Sequence, residues 1–215
     1  DTAAPSVVYT SPTIAATGVA TNALIRVKVD DNVGVVSNSI VVKVSNVTAL
    51  SNGAFLGGFT GTISNTNATA YKVVIDRTAP YPSLTTLTVA ASVRDAAANV
   101  RASNFYFTTA DTTAPTTAYT FPATGATNVA TNVVIRLRFN DNGGLSSKKM
   151  VGRVANATAL SDGVFTAGFV TSSTLSRTNG TDFVVVVDRA TPYAQVTTMT
   201  VRASVTDTSA NGRLT

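Results

Sequence analysis

Aspartate and asparagine residues gather at a few places in this sequence where loops are expected. The tripeptide Asp30-Asp31-Asn32 follows an apolar segment, and Asp95, Asn99 and Asp111 stand near the ends of later segments. Carboxylate, amide and carbonyl oxygens are the ligands that Ca²⁺ prefers. We therefore predict a calcium site at one end of the first half of the chain, with the candidate ligands Asp30, Asp31, Asn32, Asp95, Asn99 and Asp111.

The second half of the chain offers a similar set of oxygen-bearing side chains, namely Asn140, Asp141, Asn142, Asp207 and Asn211. A second interpretation is open for both sets, because Asp and Asn also favour turns through hydrogen bonds to their own backbone. The chain contains no Glu, which often completes a calcium site as a bidentate ligand. We carry both interpretations forward.

Basic residues alternate with apolar ones along two predicted strands and recur further along the chain. We predict one basic sheet face in each half, formed by Arg26, Lys28, Lys43, Arg136, Arg138 and Arg153. With a net charge of +5, such a face would attract an acidic polysaccharide, a bacterial envelope or an acidic neighbouring subunit. The alternative is a solvated face that prevents aggregation. Nucleic acid is not expected, because no aromatic platform interleaves with the charges.

The residue types that the chain lacks exclude much of ordinary catalysis. It has no Cys and no His, so thiolate nucleophiles, zinc hydrolysis and Ser-His-Asp chemistry are not expected. No uninterrupted apolar run approaches the length of a membrane-spanning helix. The composition therefore predicts a non-enzymatic protein.

The chain repeats itself. Residues 1–59 match residues 111–169 without a gap, with about half of the paired positions identical, and Asp76-Arg77 is later answered by Asp188-Arg189. A period of roughly 110 residues is the size of one β-sandwich domain. We predict two tandem domains, residues 1–110 and 111–215, joined by a short linker that favours a stiff rod.

Thr- and Val-rich segments with a period of two predict an all-β fold. We expect about seven strands in each antiparallel sandwich. Those of the first are Val7–Thr10, Leu24–Val29, Ile40–Val44, Phe55–Thr60, Tyr71–Ile75, Leu87–Val93 and Asn104–Thr108.

The second repeat stops before the residues that would correspond to Phe105 and Phe107. We expect the second sandwich to lack its last strand and to present an open edge. A neighbouring copy or another subunit could complete it by strand addition.

Several motifs resemble those of bacterial immunoglobulin-like repeats. They are D-T-T-A-P at Asp111, T-T-L-T-V-A-A-S-V-R-D-A-A-A-N at Thr85 and F-Y-F-T-T at Phe105. The family commonly has D-x-A-G-N before its last strand, whereas this chain has Ala98 and Ala210 at the glycine position. The resemblance implies an immunoglobulin-like fold. Because cadherin-like and some bacterial immunoglobulin-like repeats bind calcium at the junction between domains, the resemblance also implies a calcium site there.

Repeats of this family occur in tandem in bacterial surface proteins, adhesins and phage virion proteins. The resemblance therefore implies a structural module, acting as a rod, spacer or decoration, in an extracellular location on a bacterial surface or a virion. Its alternative implication is an adhesin or carbohydrate-binding module of a larger extracellular protein.

Overall fold

Alternating apolar and polar residues make each main strand of this protein amphipathic. In the strand Ile25–Asp30, the side chains of Ile25, Val27 and Val29 are buried while Lys28 is exposed. The computed structural model describes residues 1–67, 69–169 and 172–214, folded as two units, Asp1–Ala110 (domain 1) and Asp111–Thr215 (domain 2). In these residues the only helical segment is a 3-10 turn at Ser37–Ser39, so the all-β prediction is confirmed. No described helix is long and apolar enough to cross a membrane.

Two antiparallel sheets form domain 1, in the orders β1-β2-β7-β6 and β5-β4-β3-β8-β9. Its described strands are β1 (Ser6–Ser11), β2 (Ile25–Asp30), β3 (Val41–Val44), β4 (Val47–Ser51), β5 (Ala54–Phe55), β6 (Phe59–Asn67), β7 (Ala70–Arg77), β8 (Thr86–Arg94) and β9 (Val100–Thr108). The inner faces of both sheets meet in one apolar core, to which β2 contributes Val27, β3 contributes Val42 and β9 contributes Phe107. This is the predicted sandwich.

Domain 2 repeats the arrangement with sheets β10-β11-β16-β15 and β14-β13-β12-β17-β18. Its described strands are β10 (Thr116–Phe121), β11 (Ile135–Asn140), β12 (Leu145–Val154), β13 (Ala157–Ser161), β14 (Val164–Phe165), β15 (Thr174–Asn179), β16 (Asp182–Val187), β17 (Val201–Asp207) and β18 (Gly212–Leu214). Its core joins residues such as Leu137, Met150 and Val205 from the two sheets.

The structure has nine described strands in each domain, not the predicted seven. The predicted strand Phe55–Thr60 is divided between β5 and β6, because Gly57 and Gly58 adopt φ values of 62° and 81° and turn the chain between them. Strand β4 was not predicted. Its presence extends the second sheet by a hairpin, while the two-layer architecture is unchanged.

Tight hairpin turns form at two dipeptides, Asn-Gly and Asp-Gly, whose residue types favour such turns. Asn52-Gly53 has φ values of 49° and 74°, and Asp162-Gly163 has values of 51° and 79°. Two successive residues with positive φ are typical of a type I′ turn, which matches the twist of the strands that it joins.

The last strand distinguishes the two domains. In domain 1, β9 pairs with the whole of β8, from Arg94↔Val100 to Thr86↔Thr108. The sequence analysis predicted that domain 2 lacks this strand, but a short part of it is present. Gly212–Leu214 forms β18 and pairs with the C-terminal part of β17. Residues 198–200, which correspond to the start of β8, are not part of β17, although the Thr200 carbonyl accepts a 2.9 Å hydrogen bond from the Ala155 N–H.

The repeated Asp-Arg pairs stabilise a corner in each domain. In domain 1 the Arg77 guanidinium lies 5.3 Å from the ring centroid of Tyr81 and donates a 2.9 Å hydrogen bond to the Pro80 carbonyl. In domain 2, Arg189 lies 5.3 Å from the Tyr193 ring in the same way. The buried tyrosines thus pack beneath an arginine at the end of a strand.

Ala98 provides a test of backbone strain in the loop after β8. This residue has a φ of 71°, as does its counterpart Ala210 at 72°, in the left-handed region where a Cβ is unfavourable. We expect Ala98→Gly to raise the free energy of unfolding by about 0.5–1 kcal/mol, because relief of this strain exceeds the added entropy of the unfolded chain. Urea denaturation measures the change.

The matched control is Ala97→Gly in the same loop, because Ala97 is not among the residues with positive φ. That substitution should leave the stability unchanged or reduce it. Equal effects of the two glycines would show that Ala98 is not strained.

Candidate metal centres

Strand pairing brings three aspartates together at one end of domain 1. The register Ser6↔Asp30 places the residues before β1 beside the residues after β2, and the bridge Val35↔Asp95 adds the loop after β8. As a result, one carboxylate oxygen each from Asp1, Asp31 and Asp95 lies within 4.8 Å of the others. We call this group cluster 1.

The same pairing builds an equivalent group in domain 2. The register Thr116↔Asn140 and the pair Leu145↔Asp207 join the corresponding three loops. Carboxylate oxygens of Asp111, Asp141 and Asp207 lie within 4.8 Å of one another, and we call this group cluster 2. All three residues are buried, whereas Asp1 of cluster 1 is exposed.

The clusters agree only in part with the predicted ligand set. Asp31 and Asp95 are brought together, but Asp111 belongs to cluster 2, and the equivalent residue in cluster 1 is Asp1, which the sequence analysis missed. The signal for Asp1 was the repeat itself, because Asp1 and Asp111 open the two copies. Asp30 points away and forms a 3.0 Å ion pair with Lys28.

Asn32 and Asn99, predicted as ligands, donate hydrogen bonds to the carboxylates. The Asn99 amide lies 2.7 Å from Asp95 Oδ2, and its backbone N–H lies 2.8 Å from Asp95 Oδ1. The Asn32 amide lies 3.4 Å from Asp1 Oδ1. Asn211 repeats the role of Asn99, because it holds both oxygens of Asp207 at 2.8 Å.

Backbone N–H groups hold one oxygen of the central aspartate in each cluster. Asp141 Oδ2 accepts hydrogen bonds of 2.8 and 2.9 Å from Gly143 and Gly144. Asp31 Oδ2 accepts two bonds of 2.9 Å from Val33 and Gly34. These bonds fix the orientation of both carboxylates.

The hydrogen bonds also decide the charge of Asp95. Burial acts to raise the pKa of this carboxyl, but the bonds from Asn99 and from the backbone of Ala97 outweigh it, so the pKa lies below its ordinary value. Cluster 1 therefore contains an ionised Asp95 at neutral pH.

The predicted basic face is divided between the two sheets. Arg26 and Lys28 project from β2, whereas Lys43 projects from β3 in the opposite sheet of domain 1. Domain 2 divides its residues similarly, with Arg136 and Arg138 on β11 and Arg153 on β12. The prediction of a single face is wrong, because the outer faces of a sandwich point in opposite directions.

Arg138 is engaged in an ion pair across β11 and β16. Its Nη2 lies 2.6 Å from Asp182 Oδ2 and its Nε lies 2.9 Å from Asp182 Oδ1, in a bidentate arrangement. The hydrogen bond from Arg138 lowers the pKa of Asp182, although burial opposes the shift. Of the predicted basic residues, Arg138 is thus partly neutralised within its own domain.

This ion pair predicts how domain 2 responds to acid. Because the folded-state pKa of Asp182 is below its unfolded value of about 3.9, the pair stabilises the domain above that pH and loses its contribution as the pH falls through the folded pKa. We expect Arg138→Gln to reduce the stability at pH 7 and to flatten its decline below about pH 4.

Arg136→Gln is the matched control, since Arg136 lies on the same face of β11 and no ion pair is formed by it in the described part of the chain. Thermal unfolding between pH 2 and 7 would measure both variants. Identical pH profiles for the two would contradict the assignment.

Sequence comparison identifies the second half of the chain. Residues 111–215 match the family model described as a bacterial Ig-like domain. Domains of this family are commonly structural or surface-associated and are typically non-catalytic. No curated protein matches the sequence.

Solved structures of other proteins are similar to this one. The structure of Rst D1-D2 matches with a TM-score of 0.52 and 11% identity, covering 97% of this chain and 96% of that one. A dimeric latent PorU from Porphyromonas gingivalis, at 17% identity and a TM-score of 0.39, is covered over 20% of its length and matches 100% of this chain. Fibronectin(III)-like modules of Clostridium thermocellum CbhA match 98% of this chain and are covered over 90% of their length, at 11% identity and a TM-score of 0.33.

The family match and the geometry agree for domain 2. Domain 1 has the corresponding sheet order, and about half of its first 59 residues are identical to the paired residues of domain 2. Residues 111–215 therefore resemble the bacterial Ig-like domain family in sequence, and domain 1 repeats their fold and their sequence pattern.

Proposed function

We propose that this chain is a non-enzymatic structural module, a rod, spacer or decoration, of a bacterial surface or virion assembly. The observation that carries the proposal is the duplication of a sandwich together with its linker aspartate and its acidic cluster. A unit repeated with its own junction residues extends a polypeptide without altering any one site. Such repetition serves spacing and display.

The interior chemistry supports a role without catalysis. Each core is a continuous set of apolar side chains, and the buried tyrosines are poor acids and bases: burial raises the pKa of Tyr81 to about 12 and raises that of Tyr193 as well. Because a general base works best with a pKa near the ambient pH, these phenols are unsuited to proton transfer.

The adhesin alternative lacks a comparable observation. Carbohydrate-binding surfaces commonly use exposed aromatic side chains, which pack on sugar rings. Among the described residues, the large exposed aromatics are Tyr106 in β9, half exposed, and Phe121 in β10, which belong to different domains. The basic residues that would attract an acidic polysaccharide are divided between opposite sheet faces.

Immunolabelling of the source organism tests the proposal. Antibodies against the purified chain should label intact cells on their outer surface, or purified virions, without permeabilisation. Labelling that appears only after permeabilisation, with none on particles, would contradict an external structural role. A polysaccharide array is the accompanying measurement: tight binding that survives high salt would favour the adhesin alternative.

The edge of β17 supports a proposal about partners. In domain 1, Tyr9 stacks on Phe105 with ring centroids 4.8 Å apart, and Tyr81 meets Phe107 edge-on at 6.2 Å. In domain 2 the corresponding tyrosines, Tyr119 and Tyr193, line an open groove of about 1010 Å³. Apolar residues complete its lining, including Val133, Met199 and Val201.

We propose that this groove accepts an extended segment that bears aromatic side chains at alternate positions and pairs antiparallel with the beginning of β17, ahead of the residues that β18 covers. Phe105 and Phe107 of β9 show the required spacing, because both point into the domain 1 core while Tyr106 between them is exposed. Strand addition of this kind would join the chain to a neighbouring subunit.

A peptide with the sequence of residues 102–109 tests the groove directly. We expect it to bind the chain and to raise the unfolding temperature of domain 2 in scanning calorimetry, because it supplies both aromatic anchors. The control peptide carries Ser in place of Phe105 and Phe107 and should bind at least about tenfold more weakly, since burial of each phenyl ring is lost. Equal binding of the two peptides, or none, would contradict the proposal.

A further inference from the structure

Cluster 2 concentrates negative charge in a buried place. Asp111, Asp141 and Asp207 have exposed fractions of 6%, 5% and 0%, and their carboxylate oxygens approach within 4.8 Å. Carboxylates at such distances repel one another strongly once water is removed. A compensating cation or proton is needed for the group to remain together.

The described residues provide no ion pair for two of the three carboxylates. The described ion pairs are Lys28–Asp30 and Arg138–Asp182, so neither Asp141 nor Asp207 is paired with a Lys or Arg there. Lys149 approaches the same loop, but its ammonium donates to the backbone carbonyl of Asp207, at 3.0 Å. The donors to these two carboxylates are neutral groups of Gly143, Gly144 and Asn211.

An independent observation points to a ligand at this place. Asp141 Oδ1 is fully buried and has no hydrogen-bond partner among the described residues, although Oδ2 of the same carboxylate has two. Burial of a charged oxygen without a partner is costly and rare in proteins. The equivalent atom in domain 1, Asp31 Oδ1, is buried and unpartnered in the same way. The same buried, unpartnered oxygen in both copies indicates a shared purpose.

We propose that Asp111, Asp141 and Asp207 bind one Ca²⁺ ion within domain 2, with Asp141 Oδ1 as a ligand, and that Asp1, Asp31 and Asp95 form a weaker site in domain 1. Three carboxylate oxygens that all lie within 4.8 Å of one another are close enough to share one cation, and Ca²⁺ accepts oxygen ligands at longer distances and in more flexible geometry than Mg²⁺ does. The site differs from the junction site predicted from sequence, because each domain supplies its own carboxylates. The proposal does not depend on the structural role proposed above.

Two differences between the domains explain why we expect cluster 2 to bind Ca²⁺ more tightly than cluster 1. A Cβ built on Gly143 would collide with Asp111 Oδ2, so glycine lets the loop after β11 approach that carboxylate. Domain 1 has Val33 at the corresponding position, and its first aspartate, Asp1, is exposed. An exposed carboxylate on a less closely packed loop contributes less to cation binding, because water competes for it.

A calcium titration of the intact chain tests the proposal. After treatment with a chelator, isothermal titration calorimetry with CaCl₂ should detect two sites of unequal affinity, and Ca²⁺ should raise the unfolding temperature of domain 2. Asp141→Asn keeps the shape of the side chain and removes its charge. We expect this substitution to weaken Ca²⁺ binding at the tighter site at least about tenfold and to leave the affinity of the weaker site unchanged. Without Ca²⁺, this variant should be as stable as the native chain or more so, since repulsion is reduced.

Asp162→Asn is the matched control. Asp162 is an exposed residue of a hairpin turn, and domain 1 already has Asn52 at the corresponding position. This variant should bind Ca²⁺ like the native chain. A second pair of variants tests the close approach of Gly143 to the Asp111 carboxylate. Gly143→Ala would place a Cβ against that carboxylate, whereas Gly152→Ala is the control, because a Cβ there would make only an ordinary contact of 3.6 Å with Leu160. Only Gly143→Ala should weaken the site.

Three outcomes would overturn the proposal. They are the absence of any Ca²⁺-dependent heat or thermal shift in the native chain, an unchanged tighter site in Asp141→Asn, and a response to Mg²⁺ as strong as the response to Ca²⁺.

Discussion

Burial of one face of each sheet against the other is the constraint on which both domains depend. Val27 on β2 and Val42 on β3 belong to opposite sheets and to the same core, and the strand period of two then sends Lys28 and Lys43 outward in opposite directions. Because antiparallel strands return the chain to the same two ends, the loops collect there. The acidic clusters lie where three such loops meet, so their geometry is a consequence of strand register.

The polar groups at this end of each domain contribute specificity more than net stability. Each central aspartate is oriented by two backbone N–H groups, as Asp141 is by Gly143 and Gly144, and these bonds satisfy backbone donors in a loop that could not otherwise pair them. The second oxygen of Asp141 is left without a hydrogen-bond partner among the described residues. The fold thus places negative charges close together, and the cation that we propose would convert their repulsion into attraction among three loops.

Sequence periodicity was sufficient for the strands whose two faces differ in polarity, such as Ile25–Asp30, and the dipeptides Asn52-Gly53 and Asp162-Gly163 marked their turns correctly. It failed where a turn lay inside an apolar segment, at Gly57 and Gly58. For the site, Asp31 and Asp95 could be predicted because each follows a clear strand. Asp111 was assigned to the wrong domain, because closeness along the chain does not reveal which strands pair. Comparison of the two repeats would have corrected this, since Asp1 and Asp111 occupy the same position.

The phenol of Tyr119 gives the open edge of domain 2 an unusual property. Its hydroxyl donates a 2.9 Å hydrogen bond to the backbone carbonyl of Val201, at the beginning of β17. An unpaired sheet edge is normally a hazard, because any extended chain can hydrogen-bond to it. Here a side chain of the same domain already occupies one of the acceptors, so an incoming strand that pairs at this carbonyl must exchange one hydrogen bond for another. For the strand addition that we propose, this exchange would favour a segment that also fills the groove with aromatic rings over one that offers backbone alone.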